Sequence, residues 1–154
     1  MLDKLDLKIL RILMTQGRAT WSDLAGEVDL SSPAVAERVR RLEERGVIKA
    51  YEAMIDPELV GNTCTAFVAV TLEKTEQRAA FLELIHELVE VQECHHIAGD
   101  YDYLLKVRAR DTKDLDRVIS SELKKLPGVK TRTTIVMNSL KETARLPIHA
   151  ERFS

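Results

Sequence analysis

Leu30-Ser31-Ser32-Pro33-Ala34-Val35-Ala36-Glu37-Arg38-Val39-Arg40-Arg41-Leu42-Glu43-Glu44-Arg45-Gly46 is the stretch on which the reading of this chain turns. It opens as a helix does. Ser31 and Ser32 are good N-cap residues, and Pro33 falls where a missing N–H costs little. Gly46 can take the left-handed conformation that ends a helix. Val35, Val39 and Leu42 recur at helical spacing as a narrow apolar stripe. Ser31, Ser32, Pro33, Ala34, Glu37, Arg38, Arg41 and Arg45 lie at its start or away from that stripe. Small residues at a helix start allow close approach to a major groove, and arginines behind them reach base edges and phosphates. These residues admit a plainer alternative equally well, a solvated helix face with ordinary charges.

Working outward, Leu2, Leu5, Ile9, Ile12 and Leu13 fall three and four apart, so the spacing predicts an amphipathic helix over about 3–16, ended by Gly17. Thr20 and Asp23 have capping-box spacing before a short helix whose apolar side is Trp21, Leu24, Ala25 and Val28. Trp21 reads as core. Asp29 occupies the turn into the arginine helix. A short helix, a tight turn and a second helix make a helix-turn-helix, with the first helix completing a three-helix core. Val47 to Ile55 is half apolar and reads as a strand or small wing. The run Asp56-Pro57-Glu58-Leu59-Val60-Gly61-Asn62 breaks the pattern and marks a boundary. Two domains are expected, 1–61 and 62–154.

The second domain has another grammar. Strands are expected over Thr65–Glu73, Val91–Ala98, Tyr103–Ala109 and Val129–Met137. Between them, Phe81, Leu84, Ile85 and Leu88 give one helix. Leu115, Val118, Ile119, Leu123 and Leu126 give another, closed by Pro127-Gly128. The order βαββαβ is the ferredoxin-like arrangement, an antiparallel sheet with both helices on one face. The fold class is therefore α+β. Alternate residues of Thr65–Glu73 want burial on both sides, so the uncovered sheet face calls for a partner subunit.

Composition bounds the function. The 154 residues are 45% hydrophobic and 31% charged, an ordinary globular balance, with a formal net charge of −2. Residues 1–60 hold nine basic and eleven acidic side chains. DNA binding would have to rest on local placement of arginine and not on bulk attraction. There is no apolar run long enough for a membrane span, and Met1-Leu2-Asp3-Lys4-Leu5-Asp6 does not read as a signal peptide. Cys64 and Cys94 lack metal-ligand spacing and read as free thiols of a reducing cytoplasm. His95 and His96 point to opposite faces of a strand, so no metal is expected. No Ser-His-Asp spacing, phosphate-binding glycine loop or evident carboxylate pair points to catalysis, and no cofactor is expected.

One further constellation suits a small ligand. An amino acid needs an acid or other acceptor for its ammonium, N–H donors for its carboxylate and a wall for its side chain. Gly99-Asp100-Tyr101-Asp102 reads as a tight turn that offers these, and Thr131 and Thr133 alternate on one face of the last strand with hydroxyls to donate. On residue types alone, a hairpin turn and β-forming threonines account for them more simply.

Taken together the sequence resembles the Lrp/AsnC, or feast/famine, family of regulators. The likeness runs nearly end to end. It includes Leu2-Asp3, Asp6 and Ile9-Leu10; Leu30-Ser31, Arg38-Val39-Arg40-Arg41-Leu42-Glu43 and Gly46-Val47-Ile48; and Asp56-Pro57. In the second half it includes Val91-Gln92-Glu93-Cys94-His95, Gly99-Asp100-Tyr101-Asp102-Tyr103-Leu104-Leu105-Lys106 and Leu126-Pro127-Gly128-Val129. These latter motifs are similar to the leucine-responsive branch. The resemblance implies a winged helix-turn-helix that binds double-stranded DNA and a βαββαβ domain that senses an amino acid, leucine or methionine. It implies dimers built on the sheets, often gathered into octamers, with the effector held at residues 99–102 between neighbouring dimers. Asp29 departs from the family's usual Gly, and Gly26 sits inside the second helix at a cost of about 1 kcal/mol relative to Ala. The implied function is a cytoplasmic, amino-acid-responsive transcriptional regulator. The alternatives are a small-molecule-binding oligomer whose helix-turn-helix serves assembly, or an enzyme of ferredoxin-like fold.

Overall fold

A computed structural model describes residues 2–149; the outer ends of the two expected domains, residue 1 and residues 150–154, lie outside it. The chain forms two compact units. One comprises residues 2–54 together with 141–149, and the other Ile55–Leu140. The division therefore differs from the boundary expected at 61/62, and the last described residues belong with the helices. Leu146 N–H meets Met14 Sδ at 3.4 Å, and Arg11 Nη2 donates to the Ile148 carbonyl at 3.3 Å.

The helical unit contains α1 (Lys4–Thr15), α2 (Trp21–Val28) and α3 (Ser32–Glu44). Each start is fixed by its own side chains. Asp3 and Asp6 form a reciprocal capping box on α1, as do Thr20 and Asp23 on α2, and the Ser31 hydroxyl accepts the Ala34 N–H. Ile9, Leu24, Ala25, Val28, Val35, Val39 and Leu42 close into one core. Asp29, with φ 53° and ψ 46°, makes the turn between α2 and α3 in the left-handed region. Gly46, with φ +67°, ends α3 while the Leu42 carbonyl takes the N–H of both Val47 and Ile48.

Two expectations for this unit need correction. Residues 47–55 form no strand. A strand needs a neighbour for its N–H and C=O groups, and Tyr51, Met54 and Ile55 instead project exposed side chains, with only Ile48 packed on the core. Trp21 is also not core: it is 46% exposed on the first turn of α2.

The sheet unit contains β1 (Cys64–Leu72), α4 (Arg78–Glu87), β2 (Val91–His96), β3 (Tyr103–Ala109), α5 (Thr112–Asp116) and β4 (Val129–Ile135). After Asp116 the helix widens into π-type turns over Arg117–Glu122 and tightens to a 3-10 turn at Leu123–Lys125. The antiparallel sheet has the order β2-β3-β1-β4 expected of βαββαβ. Ala66, Val68 and Val70 lie opposite Val107, Leu105 and Tyr103, and all six are buried with Phe81 and Ile85 of α4 and Leu115 and Val118 from the α5 stretch. Both helices thus cover one face. The other face carries Thr65, Phe67, Ala69 and Thr71 of β1 beside Leu104 and Lys106 of β3 and Arg132 and Thr134 of β4. Phe67 at its centre is 39% exposed.

Candidate functional site

The first candidate is the outer surface of α3. With Val35, Val39 and Leu42 turned inward, Pro33, Glu37, Arg40, Arg41 and Glu44 are exposed together on the opposite side. Ser31 is exposed at the cap, Ser32 and Ala34 are half-buried beside it, and Arg45 is exposed at the C-cap. The arginines differ in what holds them. Arg41 is 56% exposed and its nearest carboxylate, Glu37, is 3.8 Å away, too long for a hydrogen bond. Arg40 is bracketed: Nε and Nη2 donate to Glu37 at 3.0 and 2.8 Å, and Nη1 donates to Glu44. The Arg40 contact holds the Glu37 carboxyl below its usual range. Arg40 was missed as a member of this face. Its signal lay in acids three residues before and four residues after it, the spacing of helix-surface ion pairs.

Arg38, expected on the exposed face beside Arg41, lies elsewhere. Its side chain is 21% exposed, and Nη1 donates to Asp3 Oδ2 at 2.6 Å and to Asp6 Oδ1 at 2.7 Å. The Asp6 N–H and, secondarily, the Arg38 guanidinium hold the Asp3 carboxyl below its usual range. Arg38 lines a cleft between α1 and α3 with Asp3, Asp6, Arg41 and Leu42, so it adjoins the outward face through Arg41 but is turned toward the two aspartates. The reason is geometric: position 38 precedes Val39 on the flank of the core stripe, where a long side chain reaches the neighbouring helix.

The second candidate is the connection between β2 and β3. It is not a tight turn but a six-residue bend over 97–102. Asp102 anchors it. Its N–H donates to the Val70 carbonyl at 3.0 Å, its carbonyl accepts the Ile97 N–H at 3.0 Å, and its Oδ2 accepts the Leu72 N–H at 2.8 Å. Gly99 and Asp100 are exposed. A Cβ at Gly99 would meet nothing within 4 Å, so the glycine answers to no crowding inside this chain. The Tyr101 hydroxyl accepts from Arg132 Nη1 at 3.1 Å, on the sheet face that the helices leave open.

Thr131 and Thr133 are opposite Val70 and Val68, so they share the helix-covered side of β4, half-buried and exposed respectively. The expected effector residues therefore fall into two groups. Gly99, Asp100, Tyr101 and Asp102 form one loop, and Tyr101 reaches β4 on the face opposite to the threonines. Among the described residues no cluster of three or more His, Cys, Asp or Glu side chains has metal-binding geometry, and no helix is long and apolar enough to cross a membrane.

Comparison with known proteins fits this geometry. A family model described as the Lrp/AsnC ligand binding domain matches residues 65–146, and one described as a winged helix-turn-helix DNA-binding domain matches residues 2–49. The chain is 41% identical to the leucine-responsive regulatory protein of Haemophilus influenzae over 145 residues, 92% of this chain and 87% of that protein. It is 39% identical to the leucine-responsive regulatory protein of Escherichia coli K12 over 150 residues, 96% and 92% of the two chains. Among solved structures it resembles a transcriptional regulator of Neisseria meningitidis in complex with L-methionine, with TM-score 0.90, 31% identity, and 96% and 97% of the two chains covered. It also resembles a feast or famine regulatory protein of M. tuberculosis complexed with L-methionine, with TM-score 0.89, 37% identity, and 95% and 99% covered.

Proposed function

The chain belongs to the Lrp/AsnC family, and from that premise we propose that it is a DNA-binding transcriptional regulator whose DNA occupancy responds to a small apolar amino acid, leucine or methionine. The observation that carries the reading is the outward face of α3, where Pro33 and Ala34 permit close approach and Arg41 is exposed, its ion pair with Glu37 at 3.8 Å being too long for a hydrogen bond. In this reading Ser31, Ser32, Pro33, Ala34, Glu37, Arg41 and Arg45, joined by Arg40, face the major groove. Residues 2–54 serve DNA binding, and residues 55–140 serve sensing and self-association. The protein acts in the cytoplasm and catalyses no reaction.

The effector lies against the exposed bend Gly99-Asp100-Tyr101, which Asp102 holds to β1; Thr131 and Thr133, on the other face of β4, are not part of this site. The names of the relatives support leucine, and the two methionine complexes support methionine. A second copy of the chain covers the open sheet face around Phe67, Ala69 and Leu104. The resulting dimer presents two α3 helices to successive major grooves about 34 Å apart, and dimers gather further into octamers.

The test is a binding measurement on a duplex that the protein selects from a randomised pool, run at several salt concentrations with and without L-leucine or L-methionine. Sequence-specific, salt-dependent binding that an amino acid shifts is the expected result. A protein that selects no sequence while an amino acid raises its melting temperature would instead be a small-molecule-binding assembly.

A further inference from the structure

The start of α1 and the middle of α3 are joined through two carboxylates whose four oxygens each have a donor. Asp3 Oδ1 accepts the Asp6 N–H at 2.8 Å, and Asp6 Oδ2 accepts the Asp3 N–H at 3.1 Å. The two remaining oxygens, Asp3 Oδ2 and Asp6 Oδ1, both take Arg38 Nη1. The helix cap and the ion pair are thus one network. Asp6 is 8% exposed, so the network is partly shielded from water, where charge-assisted bonds hold geometry best. A roll of α3 about its own axis, or a slide along α1, stretches both bonds at once.

We propose that Arg38 is a positioning residue for DNA recognition: clamped by Asp3 and Asp6, it fixes the roll of α3 so that Pro33, Arg40 and Arg41 face the groove, and it makes no contact with DNA itself. The inference rests on the DNA-binding reading given above. It makes a prediction opposite in sign to bulk electrostatics. Neutralising Asp3 raises the net charge and takes away one of the two carboxylates that offset the Arg38 guanidinium, and for a polyanion both changes should strengthen binding. If Arg38 acts by holding α3, the same substitution weakens binding.

The experiment uses the full chain and a duplex selected by the wild-type protein. Fluorescence anisotropy is read at several KCl concentrations, below the melting midpoint of every variant. Asp3→Asn retains a side-chain acceptor for the Asp6 N–H, so the helix cap survives. We expect it to raise Kd about fivefold, Arg38→Met to raise Kd by a similar factor, and the double variant to be no worse than Arg38→Met, as befits one coupled network. The salt slope of Arg38→Met should match the wild type. A slope shallower by about 0.9 for each bound α3 means a lost phosphate contact and overturns the proposal. So does an Asp3→Asn variant that binds as tightly as wild type or tighter, or a lowered melting midpoint with unchanged Kd, which would make the network a stabiliser only. Should Arg38→Met not fold, Arg38→Gln keeps an amide donor toward Asp6, lacks the charge, and carries the same slope test. A wild-type protein that selects no duplex would remove the DNA reading itself, an outcome visible before any variant is made.

Discussion

Asp102 was expected at the effector, and the structure gives it a definite mechanical task that can be separated from any contact with the ligand. Its Oδ2 takes the Leu72 N–H at 2.8 Å, where β1 ends beside the 97–102 bend. Asp102→Ala deletes that acceptor and leaves the two backbone bonds of residue 102 in place. A hydrogen bond to a charged group contributes about 1.5–3 kcal/mol. Asp102 is half-buried, so water can reach the orphaned N–H and the lower end applies, about 1.5 kcal/mol. At the 4–8 °C per kcal/mol typical of small domains, the melting midpoint should fall by roughly 6–12 °C. Asp102→Asn keeps an oxygen for Leu72 and loses only the charge, so its stability should drop by less than about 1 kcal/mol and its midpoint should lie between those of Asp102→Ala and the wild type. The two variants then divide the roles in calorimetric titration with L-methionine and L-leucine. If the carboxylate also meets the ligand ammonium, Asp102→Asn loses more than about tenfold in affinity while melting nearly as wild type. An Asp102→Ala protein that melts with the wild type would refute the anchoring argument. An Asp102→Asn protein that binds the amino acid undiminished would refute the charge contact and leave Asp102 as a loop anchor alone.

Arg41→Ala should weaken binding to the selected duplex by about 1–3 kcal/mol with an unchanged melting curve, and an unchanged affinity would remove Arg41 from the reading surface. Phe67→Glu sets a charge at the centre of the open sheet face and should convert the assembly to smaller species in sedimentation velocity at micromolar concentration; an unaltered profile would put the interface elsewhere. Asp114 supplies a pH dependence. Its carboxyl lies well below the usual range because the Arg110 N–H, then the Arg110 and Arg117 guanidinium groups, donate to it. Its folded pKa is depressed, so its contribution is present above the ordinary carboxylate pKa near 4 and is lost as pH falls below it. The melting midpoint should therefore decline from about pH 5 downward, less steeply in Asp114→Asn, and parallel acid profiles for the two proteins would exclude Asp114 as a source.

The helical unit was legible because its signals are local. Asp3 with Asp6, Thr20 with Asp23, and Ser31 with Pro33 announce three helix starts within a few residues of each, and the stripe of Val35, Val39 and Leu42 fixes which side of α3 turns inward. The sheet order was legible because strand and helix patterns alternate cleanly. What escaped depends on partners distant in sequence. Nothing around Arg38 shows that Asp3 and Asp6, more than thirty residues earlier, will meet it. Residues 47–55 carry a strand pattern, but a strand is a property of a pair, and this unit offers no mate. Trp21 satisfies the helical period of α2 yet sits on its first turn, where the core has already ended. Thr131 and Thr133 were placed correctly on one face of β4; that Tyr101 would arrive on the opposite face follows from the path of a six-residue bend, which no periodicity encodes.

The charge balance also bears on how the proposed regulation works. Arg38 and Arg40 are neutralised within the helical unit by Asp3, Asp6, Glu37 and Glu44, and the chain as a whole is at −2. Few cations on α3 remain to release counterions from DNA, and with a negative surface around them a single unit gains little non-specific affinity. In the proposed dimer, useful occupancy would come from linkage. Two reading helices on one assembly make the second contact effectively intramolecular, and avidity can exceed either single affinity by a factor of about 100 or more. In such a system, whatever changes assembly changes DNA occupancy, with no need to alter α3. In the proposed regulator, the sheet unit is where the two would be connected. The bend that carries Gly99 and Asp100 also carries Tyr101, and the Tyr101 hydroxyl is held by Arg132, opposite Ala69 on the open face. A ligand that draws Tyr101 away releases a guanidinium onto the surface where a second copy is proposed to sit. A few kcal/mol of changed interface energy is the scale on which allosteric coupling operates.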